Sequence, residues 1–272
     1  MPTPRRIDHT FREARRAGRK VLIPYIMAGD PDLTTTRALV PALERAGADV
    51  VELGIPFSDP IADGPVILRA GMRALVHDTS LAEVIRAVAD IRKSCAVPIV
   101  LMSYYNPILQ YGDAAFARDA AAAGVDGVIV PDLPPEEGAE LIRAGRKHGL
   151  ATVFLLAPTS DAGRIAKVAR LSTGFIYYVS LTGITGSQLA DSHDVAEQLE
   201  RIRAASDKPV AVGFGIATPE QARAVGRLAD GVIVGSALVR VIEREVEADA
   251  GSDRVVAAAS AFVASLRKGV DG

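Results

Sequence analysis

Several features that mark specialised protein classes are scarce in this sequence. There is one cysteine, Cys95, so no internal disulfide can form and cysteines alone cannot build a thiolate metal centre. Cys95 reads instead as a small residue near the start of a strand. The four histidines, His9, His77, His148 and His193, show no paired spacing such as H-x-x-x-H, which argues against a structural or catalytic metal. Neither charge dominates: 31 Lys+Arg stand against 33 Asp+Glu, for a net charge of -2, and no run of one sign occurs. A nucleic-acid backbone or an acidic membrane surface therefore finds no basic stripe to bind. Apolar runs such as 128–130 and 174–179 are short, whereas a spanning helix needs roughly 20 apolar residues. The opening stretch MPTPRRIDHTFREARRAGRK carries charges but neither an apolar core nor a small-residue cleavage site, so a cytoplasmic protein is expected.

What is abundant is core-forming material, with 49% apolar against 24% charged residues over 272 positions. That length suits one α/β barrel of about 250 residues, and the whole of 1–272 is read as a single domain. Short β-rich runs at 21–27, 50–54, 99–103, 127–130, 152–156, 176–180, 210–214 and 231–234 alternate with amphipathic segments. Those segments, at 34–46, 81–93, 113–123, 136–148, 162–171, 195–205 and 219–228, carry helical spacing. Pro135 and Pro219 fit first-turn positions, and Gly47, Gly124 and Gly149 follow helical stretches where a left-handed residue is wanted. Eight strands, several of them near-continuous Val/Ile/Leu runs, in strict alternation with helices favour a (β/α)8 barrel over an open doubly wound sheet. A helix at about 7–17 precedes the first strand and would plug or cap the N-terminal end of the barrel. The turn Ala-Gly-Ala-Asp ending at Asp49 returns as Ala-Gly-Val-Asp ending at Asp126, with a looser echo at Asp230, as a reused helix-to-strand connection.

In such a barrel the chemistry sits where strands end and loops begin. Glu52 lies inside an apolar strand, where burial raises a carboxyl pKa into the range of general acid work; an ion pair inside the barrel mouth is the alternative. The loop that follows carries Asp59, whose Asp-Pro context reads as a turn, and Asp63, which could cap the next helix or meet a substrate. Glycines recur after the last strands, in Leu181 to Gly186, Gly213 to Ile216 and Gly235-Ser236. Glycine loops beside a helix N-terminus make the phosphate site typical of this barrel. Tyr25, Tyr104, Tyr177 and Phe214 stand at strand ends and could line a pocket for a flat apolar group. A phosphate anchor opposite two carboxylates, with no lysine near a central strand end, points to proton transfer on a small phosphorylated molecule rather than Schiff-base chemistry.

The run VELGIPFSDPIADGP at 51–65, with Ala28-Gly29-Asp30-Pro31, Val130-Pro131-Asp132-Leu133-Pro134, Gly183-Ile184-Thr185-Gly186 and Gly213-Phe214-Gly215-Ile216, resembles the tryptophan synthase alpha chain family over essentially the whole chain. The resemblance implies retro-aldol cleavage of indole-3-glycerol phosphate to indole and glyceraldehyde 3-phosphate. It gives Glu52 the role of acid/base at indole C3 and the glycerol hydroxyl, and Asp63 that of stabilising positive charge at the indole nitrogen. Thr185 would meet Asp63 when the loops close; Gly186, Gly215, Gly235 and Ser236 would hold the phosphate; Tyr25, Tyr104, Tyr177 and Phe214 would border the indole. No cofactor is implied for this chain. Pyridoxal phosphate would belong to a β-subunit partner in an αββα heterotetramer, reached by indole through a tunnel and met at Asn106, Asp132 and Pro134. Leu68 stands where the family usually has Gln. A free-standing lyase, a mainly allosteric subunit and a different phosphosugar isomerase remain as alternatives.

Overall fold

The computed structural model describes residues 6–179, 190–213 and 215–272. Its strands are β1 (Val21–Met27), β2 (Val51–Gly54), β3 (Ile99–Met102), β4 (Gly127–Ile129), β5 (Ala151–Val153), β6 (Leu155–Leu156), β7 (Ile176–Val179), β8 (Val210–Gly213) and β9 (Gly231–Val234). All pair in parallel, in the order β5-β4-β3-β2-β1-β9-β8-β7-β6. The two ends of that order are consecutive in the chain, separated by Phe154 alone. One segment, 151–156, thus pairs with β4 through its first half and with β7 through its second, bringing the sheet round into a (β/α)8 barrel. The single strand expected at 152–156 is split because the Phe154 N–H donates to Ser172 Oγ at 3.1 Å instead of to a neighbouring strand.

Helices α1 (Arg6–Arg16), α2 (Leu33–Arg45), α3 (Pro65–Leu75), α4 (Leu81–Ile91), α5 (Tyr105–Tyr111), α6 (Asp113–Ala123), α7 (Ala139–His148), α8 (Ala162–Leu171), α9 (Ala190–Ala205), α10 (Pro219–Leu228), α11 (Ser236–Glu247) and α12 (Ser252–Asp271) accompany the strands. Strand side chains alternate between two cores, as a period of two requires. Leu22, Ile26, Val51, Leu53, Ile99, Leu101, Ile176, Tyr178, Val210 and Val212 pack with the helices. Val21, Ile23, Val50, Val100, Tyr177 and Ala211 join the second, interior core. That core also holds Ile7, Phe11 and Ala14 of α1, with the Phe11 and Phe175 rings 5.5 Å apart. The first helix therefore plugs the N-terminal end, and its apolar stripe of Ile7, Phe11 and Ala14 has the spacing to do so.

The recurrent turn aspartates share one task at that end of the barrel. Asp49 accepts the Leu22 N–H at 2.9 Å, Asp126 the Ile99 N–H at 2.9 Å and Asp230 the Val210 N–H at 3.0 Å. Each satisfies a donor on the strand preceding its own, a group that burial would otherwise leave orphaned. Pro219 opens α10 as expected, and Gly47, Gly124 and Gly149 take positive φ after α2, α6 and α7. Pro135 does not open a helix: α7 begins at Ala139, after turns in which the Glu137 and Gly138 N–H groups both donate to Pro134 O. The last helix, α12, was not anticipated; it packs Val255, Ala259, Val263 and Leu266 inward against α2, α10 and α11.

Candidate active site

The parity that sends Val51 and Leu53 outward to the helices sends Glu52 into the barrel. It is 1% exposed, and neither carboxylate oxygen has a hydrogen-bond partner among the described residues. Among the described residues no ion pair accounts for it. Burial alone pushes its pKa up to about 8, from an ordinary 4.5, so near neutrality it is a protonated, buried acid. Beside it in register lies Tyr25 of β1. Tyr25 and Tyr177 are both buried, and both phenols are held well above their usual range, by burial first and then by nearby negative charge including Glu52.

Two glycines make room for these rings. A β-carbon on Gly54 would fall 2.2 Å from Tyr25 Oη, and one on Gly213 would fall 2.8 Å from Tyr177 Oη. Side chains at either position would have to displace the tyrosine, so the glycines at the ends of β2 and β8 are fixed by the aromatic walls. A β-carbon on Gly235 would sit 3.9 Å from Tyr25 Cβ, which puts the start of α11 against the same wall.

Asp63 arrives from the loop after β2. It is half-buried, and it does not cap α3: the N-cap is Gly64, which makes no side-chain cap. Burial raises its carboxyl, and a hydrogen bond from the Tyr104 hydroxyl partly offsets that rise. Tyr104 also accepts the Ala62 N–H at 2.9 Å and stacks against Phe57 with ring centroids 5.6 Å apart. This one phenol thus pins three points of the loop, Phe57, Ala62 and Asp63. Asp63 and Glu52 both raise the Tyr25 phenol, after burial, which brings the two carboxylates to one aromatic pocket. Asp59 is exposed and accepts from Ser58 Oγ, as its turn reading implies.

Gly235 and Ser236 open α11, whose first turn has no acidic residue, and the exposed Gly215 takes φ +42°. Thr185, Gly186 and Phe214 lie outside the described residues. Asn106 lies on α5, and Asp132 and Pro134 lie in the turn after β4. Asp132 is linked to the pocket, because its carboxylate accepts the Tyr105 N–H at 2.9 Å, next in the chain to Tyr104. Leu68 sits half-buried in the first turn of α3, its N–H bonded to Gly64 O at 3.0 Å. Sequence reasoning missed Phe57 and the charged cluster of Asp30, Arg69, Arg73 and Glu243; Asp30 stood in a quoted motif, but its partners lie far away in sequence.

The family model for the tryptophan synthase alpha chain matches residues 11–270. The chain belongs to the tryptophan synthase alpha chain family. A tryptophan synthase alpha chain from Geobacter sulfurreducens is 52% identical over 265 residues, spanning 97% of this chain and 98% of the relative. One from Laribacter hongkongensis is 54% identical over 239 residues, 88% of this chain and 90% of the relative. Among solved structures, tryptophan synthase subunit alpha from Legionella pneumophila str. Paris superposes with a TM-score of 0.91 at 42% identity, covering 98% and 99% of the two chains. A chain of tryptophan synthase from M. tuberculosis, in an aminoacrylate- and BRD0059-bound form, gives a TM-score of 0.87 at 37% identity, covering 99% and 100%. The chain is accordingly a carbon–carbon lyase that cleaves indole-3-glycerol phosphate to indole and glyceraldehyde 3-phosphate.

Proposed function

We propose that Glu52 is the proton donor and acceptor of this cleavage and Asp63 its electrostatic partner. The observation that carries the reading is the orphaned, fully buried Glu52 carboxyl, raised to about 8. Protonation of indole C3 turns the ring into an indolenine, whose electron demand weakens the bond to the glycerol side chain. Glu52 supplies that proton. Asp63, ionised, stabilises the positive charge that develops at the indole N–H. The glycerol hydroxyl must then lose its proton as the C–C bond breaks, and the Glu52 carboxylate left by the first transfer is the base within reach. Tyr25, Tyr104 and Tyr177 would border the indole with Phe214, and Gly186, Gly215, Gly235 and Ser236 would hold the phosphate, aided by the positive N-terminal end of α11. Thr185 would meet Asp63 on closure and exclude water.

The same reading makes residues 1–272 one barrel unit working in the cytoplasm beside a β subunit, which would carry pyridoxal phosphate, in an α2β2 assembly. Asn106 and Leu109 support the partner: they are exposed together at i, i+3 on α5, Leu109 by 53%, and Ile61 of the Asp63 loop is 84% exposed. The bond from Tyr105 N–H to Asp132 would pass a change at that surface to Tyr104 and hence to Asp63.

The test is indole release from indole-3-glycerol phosphate by the purified chain, alone and with a matching β subunit. Slow release that rises strongly with the partner, and falls by at least about a thousandfold in Glu52→Gln, is expected. Full activity of Glu52→Gln would remove Glu52 from the mechanism, and equal activity without the partner would identify a free-standing lyase.

A further inference from the structure

A cluster of opposite charges joins three elements around the pocket. Glu243 of α11 is 6% exposed. It accepts a two-pronged contact from Arg69 of α3, Nε to Oε1 at 2.7 Å and Nη2 to Oε2 at 2.8 Å, and a third bond from Arg73 Nη1 at 2.9 Å. Arg73 turns its Nε and Nη2 to the Asp30 carboxylate just beyond β1, at 2.8 Å each, where Asp30 is 2% exposed. Arg69 foremost, and then Arg73, hold the Glu243 carboxyl down at about 2, so it is charged throughout the working range. Next to these charges lies a small apolar contact of Val66, Ala70 and Ala74 from α3, Val239 from α11, and Tyr25 and Met27 from β1. Small residues on α3 permit a close approach, but alanine and valine faces can slide. Paired guanidinium–carboxylate forks cannot slide without breaking bonds, and directional geometry of this kind is what buried ion pairs add beyond apolar packing.

The position of the cluster along both helices gives it a bearing on the reaction. Asp63 stands two residues before Pro65, the first residue of α3, and Arg69 and Arg73 follow roughly 6 and 12 Å along that helix. Gly235 and Ser236 open α11, and Glu243 follows Ser236 by roughly 10 Å. The clamp therefore grips each helix one to two turns behind the end that faces the pocket. We propose that Glu243, through Arg69 and Arg73, is a positioning residue that fixes the separation between the phosphate-holding end of α11 and Asp63, and so the span over which a substrate is held at both ends. The proposal rests on the assignment of phosphate to Gly235 and Ser236.

Its signature is a selective loss of affinity for ligands that bridge the two ends. Three probes are titrated into the wild-type chain, Glu243→Gln and Arg69→Gln: an indole carrying an uncleavable three-carbon alkyl phosphate, indole alone, and glycerol 3-phosphate. Arg69 is half exposed, so its replacement leaves a folded chain even where Glu243→Gln does not. The expected result is a Kd at least tenfold higher for the bridging ligand in each folded variant, with both single-ended probes within twofold of wild type, and partial recovery in Arg69→Lys. Equal losses for all three probes, or no loss for any, overturn the clamp. If Gly235→Val leaves glycerol 3-phosphate binding unchanged in an otherwise wild-type chain, the phosphate assignment fails, and the clamp with it.

Discussion

Replacing Glu52 with glutamine should abolish cleavage and at the same time stabilise the fold, by an amount that grows with pH. The unfolded chain ionises Glu52 near 4.5, whereas the folded chain holds its proton to about 8. Between those values the unfolded state binds fewer protons than the folded one, so Glu52 makes stability fall as pH rises, and the fall ends above about 8. At about 1.4 kcal/mol per pH unit, the penalty is about 1 kcal/mol at pH 5, about 3 at pH 7 and close to 5 at pH 9, as an order of magnitude. Glutamine has nearly the same shape and no charge to desolvate, so the variant escapes this penalty. All other groups titrate alike in both proteins and cancel in the difference. Urea unfolding of wild type and Glu52→Gln at pH 5, 7 and 9 measures it directly. A stability difference that stays flat across this range, or a variant less stable at pH 9 than wild type, would refute the reasoning, since either result means that Glu52 is not held neutral by burial.

Three further outcomes follow from the same geometry. The profile of kcat/KM should be bell-shaped, falling above about pH 8 as Glu52 loses its proton, and falling on the acid side as Asp63, itself raised above the usual carboxylate value, gains one; activity that persists to pH 10 would contradict it. Tyr104→Phe removes the hydroxyl that accepts from Ala62 and donates to Asp63, which should lower kcat/KM roughly ten- to hundredfold, the scale of one hydrogen bond to a charged group, and move the acid limb to higher pH. Gly54→Ala puts a β-carbon 2.2 Å from Tyr25 Oη, so indole binding should weaken and stability should drop by about 1–3 kcal/mol from overpacking; unchanged kinetics and melting temperature would mean that Tyr25 is free to move.

Much of this was legible in the sequence because parallel strands and amphipathic helices write their periods into it. The sequence showed Glu52 as an acid inside an apolar strand and a helix before the first strand that would plug or cap the barrel; the structure adds the inward face of Glu52 and the α1 stripe of Ile7, Phe11 and Ala14. Local exceptions were harder to see. The split at Phe154 depends on the Ser172 hydroxyl, 18 residues away, and the late start of α7 depends on turns closed on the Pro134 carbonyl. The repeated Ala-Gly-x-Asp turn was visible as a pattern, but its reason, a carboxylate bonded to the strand before its own, appears only once the barrel is assembled. The pairing of Arg73 with Asp30 and Glu243 spans 43 and 170 residues, beyond the reach of any local pattern. The residues by themselves left Glu52 divided between an ion pair and an acid; only three-dimensional placement shows both its oxygens buried and without a partner among the described residues.

The most direct test of that point is a titration of the Glu52 carboxyl itself, by NMR of the chain with 13C-labelled glutamate carboxyl carbons, the resonance being assigned by its absence in Glu52→Gln. A midpoint near pH 8 is predicted, with the group protonated at neutrality and able to give its proton to indole C3. A midpoint near the ordinary 4.5 would show an ionised carboxylate in the working enzyme and would contradict the account.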